Sequence, residues 1–211
     1  MGKLQEIAEN LIAGEISKVT VLTQDALSEG ISAQEILNNG LIAGMNTVGK
    51  KFKADEMFLP EVLLSAQVML SAVEILEPAL AKAGVQPFAK IILGTVQGDI
   101  HSIGKNLVRM MLQGAGFKVI DIGVDVSPER FVDAVRQEQA QMICMSALLT
   151  TTMPFMKTTI EALKTAGLDS RIKTLIGGAV VNQEYAEEIG ADGYAPDAAS
   201  AVDRTKELLS I

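Results

Sequence analysis

The chain has 211 residues, 48% of them hydrophobic, which suffices for one α/β domain of ordinary size or two small ones and excludes global disorder. Eighteen Lys and Arg stand against 26 Asp and Glu, a formal net charge of −8, which argues against nucleic acid or an anionic membrane as partner. Cys144 is the single cysteine and leaves no intrachain disulfide to form, and no stretch is expected to reach the roughly 20 apolar residues of a membrane span.

The N-terminal run Met1–Asn10 carries acids inside an amphipathic pattern and lacks the apolar core of a signal peptide, so the cytoplasm is the expected location. From Leu4 to about Ala83 the periodicity is helical throughout. Leu4, Ile7, Ala8, Leu11 and Ile12 form the apolar stripe of a first helix. Ile16, Val19, Leu22 and Leu27 form that of a second, ending at Gly30. Ser32 followed by Glu35 is a capping-box signature for a third. It runs through Ile36, Leu41 and Val48 towards Phe52, with Gly40 and Gly44 as weak points. Pro60 opens a fourth helix through Val62, Ala66, Met69, Val73 and Leu76. Four helices on short connections predict a small bundle over residues 1–84. The stretch Glu77–Lys90, with Pro78, Gly84 and Pro87, looks like a connection, its core at 85–89.

Over 90–211 the period changes. Short apolar runs at Lys90–Val96, Lys118–Ile122, Met142–Ala147, Thr174–Ile176 and Gly193–Ala195 alternate with helical patterns near 103–115, 128–139, 154–166, 182–189 and 198–209. This alternation predicts a five-stranded parallel sheet covered on both faces, flavodoxin-like or Rossmann-like, in strand order 2-1-3-4-5. The fold class is thus α/β with an N-terminal all-α domain.

In that order ligands bind beyond the carboxyl ends of strands one and three. The loop after strand one reads Gly98-Asp99-Ile100-His101-Ser102-Ile103-Gly104 and holds the only histidine of the chain. Asp99 is placed to fix the tautomer of that imidazole and raise its basicity. The loop after strand three holds Ser146, Leu148, Thr150 and Thr152, and strand four ends in Gly177-Gly178. Each feature also has a plain structural reading. His101 alone could be a hydrogen-bonded side chain, and Thr150–Thr152 a helix cap before Pro154. Gly177-Gly178 could be a strand-ending turn, and Met57, Phe58 and Leu59 bundle core.

Their joint spacing resembles the cobalamin-binding module of methionine synthase and its relatives. Asp99-x-His101-x-x-Gly104 is followed by 41 residues, then Ser146-x-Leu148, then 28 residues, then Gly177-Gly178. Met57-Phe58-Leu59-Pro60 is similar to the start of the helix that caps the corrin face in that family. The resemblance reaches from the cap bundle to the sheet domain.

It implies a cobalamin or related corrinoid bound base-off/His-on, with His101 as lower axial ligand to cobalt. Asp99 would accept the other ring N–H, and Thr152 would stand where the family's relay has a serine. Ser146, Leu148 and Thr150 would line the channel for the nucleotide tail, with Gly94, Gly177 and Gly178 giving it room. Gly98, Ile100, Ser102, Ile103 and Gly104 would complete the lower contact, and Phe58 with Met57 would cover the upper face. Lacking substrate barrels, the chain looks like the free-standing corrinoid subunit of a three-component methyltransferase system. Such a carrier accepts methyl on Co(I) from a substrate-specific methyltransferase for methylamine, betaine, methanol or a methoxy-aromatic. It yields the methyl to a second methyltransferase acting on tetrahydrofolate or a thiol, while a reductive activator rescues oxidised cobalt. The competing reading is a cobalamin-dependent sensor, which would be expected to add a DNA-binding segment and often a tryptophan in the cap. A phospho-acceptor receiver is a third, and it fails because strand three ends in Ser146 where an acceptor Asp is required.

Overall fold

The structure is a computed structural model that describes residues 2–211. It divides into two compact units, one holding the residues up to Pro87 together with Gln113–Gly116, the other Phe88–Leu112 and Phe117–Ile211.

The first unit is helical. Helices α1 (Lys3–Ile12) and α2 (Ile16–Ser28) bury the stripes Ile7 and Leu11, and Val19 and Ala26. A third rod is continuous through α3 (Ala33–Glu35), a π-wound turn over Ile36–Ile42, and α4 (Ala43–Lys53). Ser32 caps it as the sequence predicts, its Oγ accepting the Glu35 N–H at 3.2 Å. Gly40 and Gly44 are close-packing positions instead of breaks. A Cβ at Gly40 would lie 3.2 Å from Ile7 Cγ2, and one at Gly44 would lie 3.2 Å from the Ala8 carbonyl oxygen. Their missing side chains let α1 run against this rod.

Helix α5 (Leu59–Lys82) opens with Pro60 in its first turn, and the Glu61 carboxylate accepts the Phe58 N–H at 2.8 Å. Two sequence expectations are corrected here. The helix passes through Pro78 to Lys82, so the connection does not begin at Glu77. Pro78 lies on the exposed side, where the carbonyl it leaves unbonded can be hydrated, and buried Leu76 and Leu80 on the opposite side hold the last turns in place. The helix is also long and apolar enough to cross a membrane by length and composition, with a mean hydropathy of 1.5. The apolar excess has a source in the bundle, where Val62, Ala66, Met69, Ala72 and Leu76 are buried.

The second unit is a parallel sheet of β1 (Lys90–Thr95), β2 (Lys118–Asp121), β3 (Met142–Ser146), β4 (Lys173–Gly177) and β5 (Gly193–Ala195), in the order β2-β1-β3-β4-β5. Its crossovers are α6 (Ile103–Gly114), α7 (Pro128–Glu138), α8 (Pro154–Thr165) and α9 (Gln183–Ile189), and α10 (Ala198–Leu209) follows β5. The registers Thr95↔Ser146 and Ser146↔Gly177 bring the ends of β1, β3 and β4 level. Strands β1 and β3 are buried nearly throughout, as strands covered on both faces must be. Ile92, Ile143, Ile176, Phe131, Met156 and Ile160 share one core cluster of the sheet unit. The loops after β1, β3 and β4 therefore leave a rigid edge at one height.

Candidate functional site

The turn between β1 and α6 is built around a buried carboxylate. Asp99 is 0% exposed, and its two oxygens face opposite tasks. Oδ1 accepts the His101 backbone N–H at 3.0 Å and lies 2.7 Å from His101 Nδ1. Oδ2 accepts the Leu148 N–H at 2.7 Å and the Leu149 N–H at 3.3 Å, both from the loop after β3. Thr152 Oγ1 lies 3.0 Å from the same oxygen and 2.9 Å from the Leu149 carbonyl, so its single proton serves one acceptor at a time. Burial works against the charged form of Asp99. The Leu148 and His101 N–H groups, the imidazole and the Thr152 hydroxyl outweigh it and hold the carboxyl well below the usual range.

An ionised Asp99 on Nδ1 keeps the proton on that nitrogen and leaves the Nε2 lone pair free. The imidazole is 46% exposed. Around it the apolar side chains of Ile100 (75% exposed), Ile103 (84%), Leu148 and Leu149 are open to solvent. Among the described residues no group of three or more His, Cys, Asp or Glu is placed to hold a metal ion by itself. One imidazole on an apolar rim suits a metal that arrives already ringed by a flat, largely apolar macrocycle.

The glycines fit the same description. Gly104 has ordinary helical backbone, and a Cβ there would meet nothing within 4 Å, so the fold gives no reason for glycine and the open space stands beside the imidazole turn. A Cβ on Gly177 would lie 3.0 Å from the Ala195 carbonyl oxygen. One on Gly178 (φ +132) would overlap the Ala147 carbonyl oxygen, so β4 ends where only glycine passes. Gly98 (φ +79) turns the chain out of β1, and its Cα side faces the Thr152 methyl. Gly94 is a correction. Its missing Cβ faces the Phe131 ring and Ile122, so it makes room for core packing and not for a tail.

Ser146 ends β3, and its carbonyl accepts the Val96 N–H at 3.0 Å. Ser102 stands just before α6, its carbonyl accepting the Asn106 N–H at 2.8 Å. Thr150 is exposed on the loop. In the helical unit Met57 is buried and Phe58 is 68% exposed. Two groups escaped the sequence reading. Thr95, buried at the end of β1, donates its hydroxyl to the His101 carbonyl at 2.8 Å. Lys105, buried in the first turn of α6, pairs with Asp121 at the end of β2, and Arg109 lies 3.7 Å from the same carboxylate. A hydroxyl closing an apolar strand was the signal for Thr95. A lysine in a helix's first turn, where its charge opposes the helix dipole, was the signal for Lys105.

Models of the B12 binding domain match residues 3–77 and 89–203. The chain belongs to the B12-binding corrinoid protein family. Over 208 residues it is 43% identical to dimethylamine corrinoid protein 3 of Methanosarcina acetivorans, covering 99% of this chain and 97% of that protein. Identity is also 43% to a corrinoid protein of Desulfitobacterium hafniense (99% and 98% covered). To the trimethylamine corrinoid protein of Methanosarcina barkeri it is 42% (90% and 88%). Among solved structures, a cobalamin-binding protein of Desulfitobacterium hafniense superposes with a TM-score of 0.81 at 30% identity, covering 97% of each chain. A chain of the methanol:cobalamin methyltransferase complex of Methanosarcina barkeri gives 0.87 at 29%, covering 99% of this chain and 80% of that one. As in the rest of the family, the corrinoid is this protein's cofactor, and the His101 turn is the candidate for its cobalt.

Proposed function

We infer that this corrinoid protein is a methyl carrier that binds its cofactor base-off/His-on, with His101 Nε2 on cobalt. The observation that carries the reading is the buried Asp99 on Nδ1, which leaves Nε2 free on an exposed apolar rim. Bound cobalt supplies the group that takes up a methyl from one partner and yields it to another. The protein's residues set the conditions. Asp99 accepts a hydrogen bond from Nδ1–H and so would orient the imidazole with Nε2 towards the metal. The Asp99 carboxylate, already in contact with Nδ1, would hold the ring's orientation. The Thr152 hydroxyl can turn between Asp99 and Leu149, which adjusts how much of the carboxylate's charge is left for the histidine. Ile100, Ile103 and Leu148 would supply apolar contact to the macrocycle. Gly104 leaves space for it to come close, and Ser146, Thr150, Gly177 and Gly178 flank the nucleotide tail.

The relatives named for dimethylamine and trimethylamine support a methylated amine as methyl source. The partners are then a substrate-specific methyltransferase, a second methyltransferase delivering to tetrahydrofolate or a thiol, and a reductive activator. The test is the visible spectrum of the protein reconstituted with hydroxocobalamin, beside that of His101→Ala. The expected result is a bound corrinoid whose spectrum changes in the variant, with methyl turnover slowed. Identical spectra, or wild-type turnover by the loaded variant, would remove His101 from the cobalt.

A further inference from the structure

The His101 turn is held from two sides, and the Asp99–Thr152 contacts account for only one. In the order β2-β1-β3 the loop after β1 is flanked by the loop after β3 and, on the other side, by residues 122–126 after β2. The β3 loop grips the Asp99 side chain. The β2 loop grips the backbone of the same residue, and one residue makes the grip. Asp125 donates its own N–H to the Asp99 carbonyl at 2.9 Å, and its Oδ1 accepts the Gly98 N–H at 2.7 Å. Asp99 N–H donates to the Val96 carbonyl at 3.1 Å, so the backbone on both sides of the Asp99 Cα is pinned. Asp125 reaches both groups because its backbone is left-handed, φ +52, a conformation that Asp adopts more readily than most side chains. Neighbours in the loop add to the brace: Thr95 N–H donates to the Gly123 carbonyl, and Val126 N–H to the Thr95 carbonyl, both at 3.0 Å.

We propose that Asp125 is a positioning residue for the histidine turn: it holds the Gly98–Asp99 backbone so that the carboxylate meets the His101 imidazole and backbone together. The Asp99 side chain can be aimed only if its Cα is fixed, and the β3 loop, bonded to the carboxylate alone, does not fix it. Hydrogen bonds here are few and directional, so the loss of one shifts a local equilibrium by about five-fold. The consequence for cobalt rests on the base-off/His-on reading above; the brace itself does not.

Two variants separate the brace from its alternatives. Asp125→Gly adopts the left-handed backbone without strain and keeps the N–H donor, while removing the Gly98 contact and the restraint a side chain places on the loop. Asp125→Asn keeps an acceptor oxygen and tolerates the same backbone but removes the charge. In the cofactor-free protein, amide hydrogen exchange at His101, a group Asp125 does not touch, should speed by about five-fold in Asp125→Gly and stay near wild type in Asp125→Asn. In the hydroxocobalamin-loaded protein the visible spectrum of Asp125→Gly should move towards that of His101→Ala, and that of Asp125→Asn should not. Unchanged His101 exchange in Asp125→Gly would overturn the proposal. Equal losses in both variants would overturn it too, since a charge effect and not a held turn would be at work. Should the loaded wild type already match His101→Ala, the cobalt reading fails, while the exchange experiment still decides the brace.

Discussion

Asp99 concentrates most of the site's energetics in four side-chain atoms. Its carboxyl is held below its usual range in the folded protein, so it contributes stability that is fully present above about pH 4 and is lost as pH falls below that value. Asp99→Asn removes that dependence. At pH 7 the variant should be less stable by about 2 kcal/mol, because one donor of the turn meets an amide NH2 instead of an oxygen. The gap should narrow by about 1 kcal/mol when urea unfolding is repeated at pH 3, where the unfolded carboxyl is mostly protonated and the folded one is not; a gap as wide at pH 3 would mean the carboxylate is not the ionised centre of the turn. Two glycines of the same site make opposite demands. Gly178→Ala places a Cβ on the Ala147 carbonyl oxygen and should destabilise by about 3 kcal/mol. Gly104→Ala meets open space and should leave the melting of cofactor-free protein unchanged or raise it by about 0.5 kcal/mol, yet weaken corrinoid retention through gel filtration. Undiminished retention would show that the space beside His101 is not used.

At the scale of elements, the site depends on the stiffness of β1 and β3. Both are central strands buried on both faces, and they end at one height through the Thr95↔Ser146 register. Cys144 lies within β3, fully buried, and desolvation pushes its thiol up to about 12. A thiol in that state is neither exposed nor ionised at pH 8. Iodoacetamide at that pH should leave the native protein unlabelled by intact mass and label it once in urea. Labelling in native buffer would reveal opening of the strand that carries the Leu148 and Thr152 loop. The crossover helices do less for the chemistry, with the exception of α6. Its first turn follows His101 directly and is anchored by the buried Lys105–Asp121 pair.

Across the whole molecule, cofactor and fold are linked by mass action. A corrinoid that binds only the folded sheet unit adds about 2.7 kcal/mol at a hundredfold excess over Kd. For a chain of this length that is a rise of roughly 5–10 °C in the melting of that unit. Scanning calorimetry with and without hydroxocobalamin should show it, and His101→Ala should show a smaller rise. An equal rise in both would place the binding energy in the macrocycle contacts alone. Much of this was legible beforehand. The strand–helix alternation gave the sheet and its order, since parallel strands need helical crossovers and short apolar runs have few other uses. The helical period gave four rods. It missed the passage of α5 through Pro78, because a single-residue breaker is overridden when the residues after it are buried.

By itself the sequence determined which side chains carry chemistry: one histidine, an aspartate two residues before it, and glycines at fixed distances. These depend on residue type and local spacing, which are written along the chain. The tertiary structure alone decided which partners those side chains meet. Leu148, Thr152 and Asp125 lie 49, 53 and 26 residues from Asp99 and reach it because β3 and β2 flank β1. Hydrogen bonds over such separations follow strand order and register, and backbone donors such as Leu148 N–H have no signature in residue type. The same holds for Gly94, whose missing side chain serves Phe131, a neighbour brought by α7.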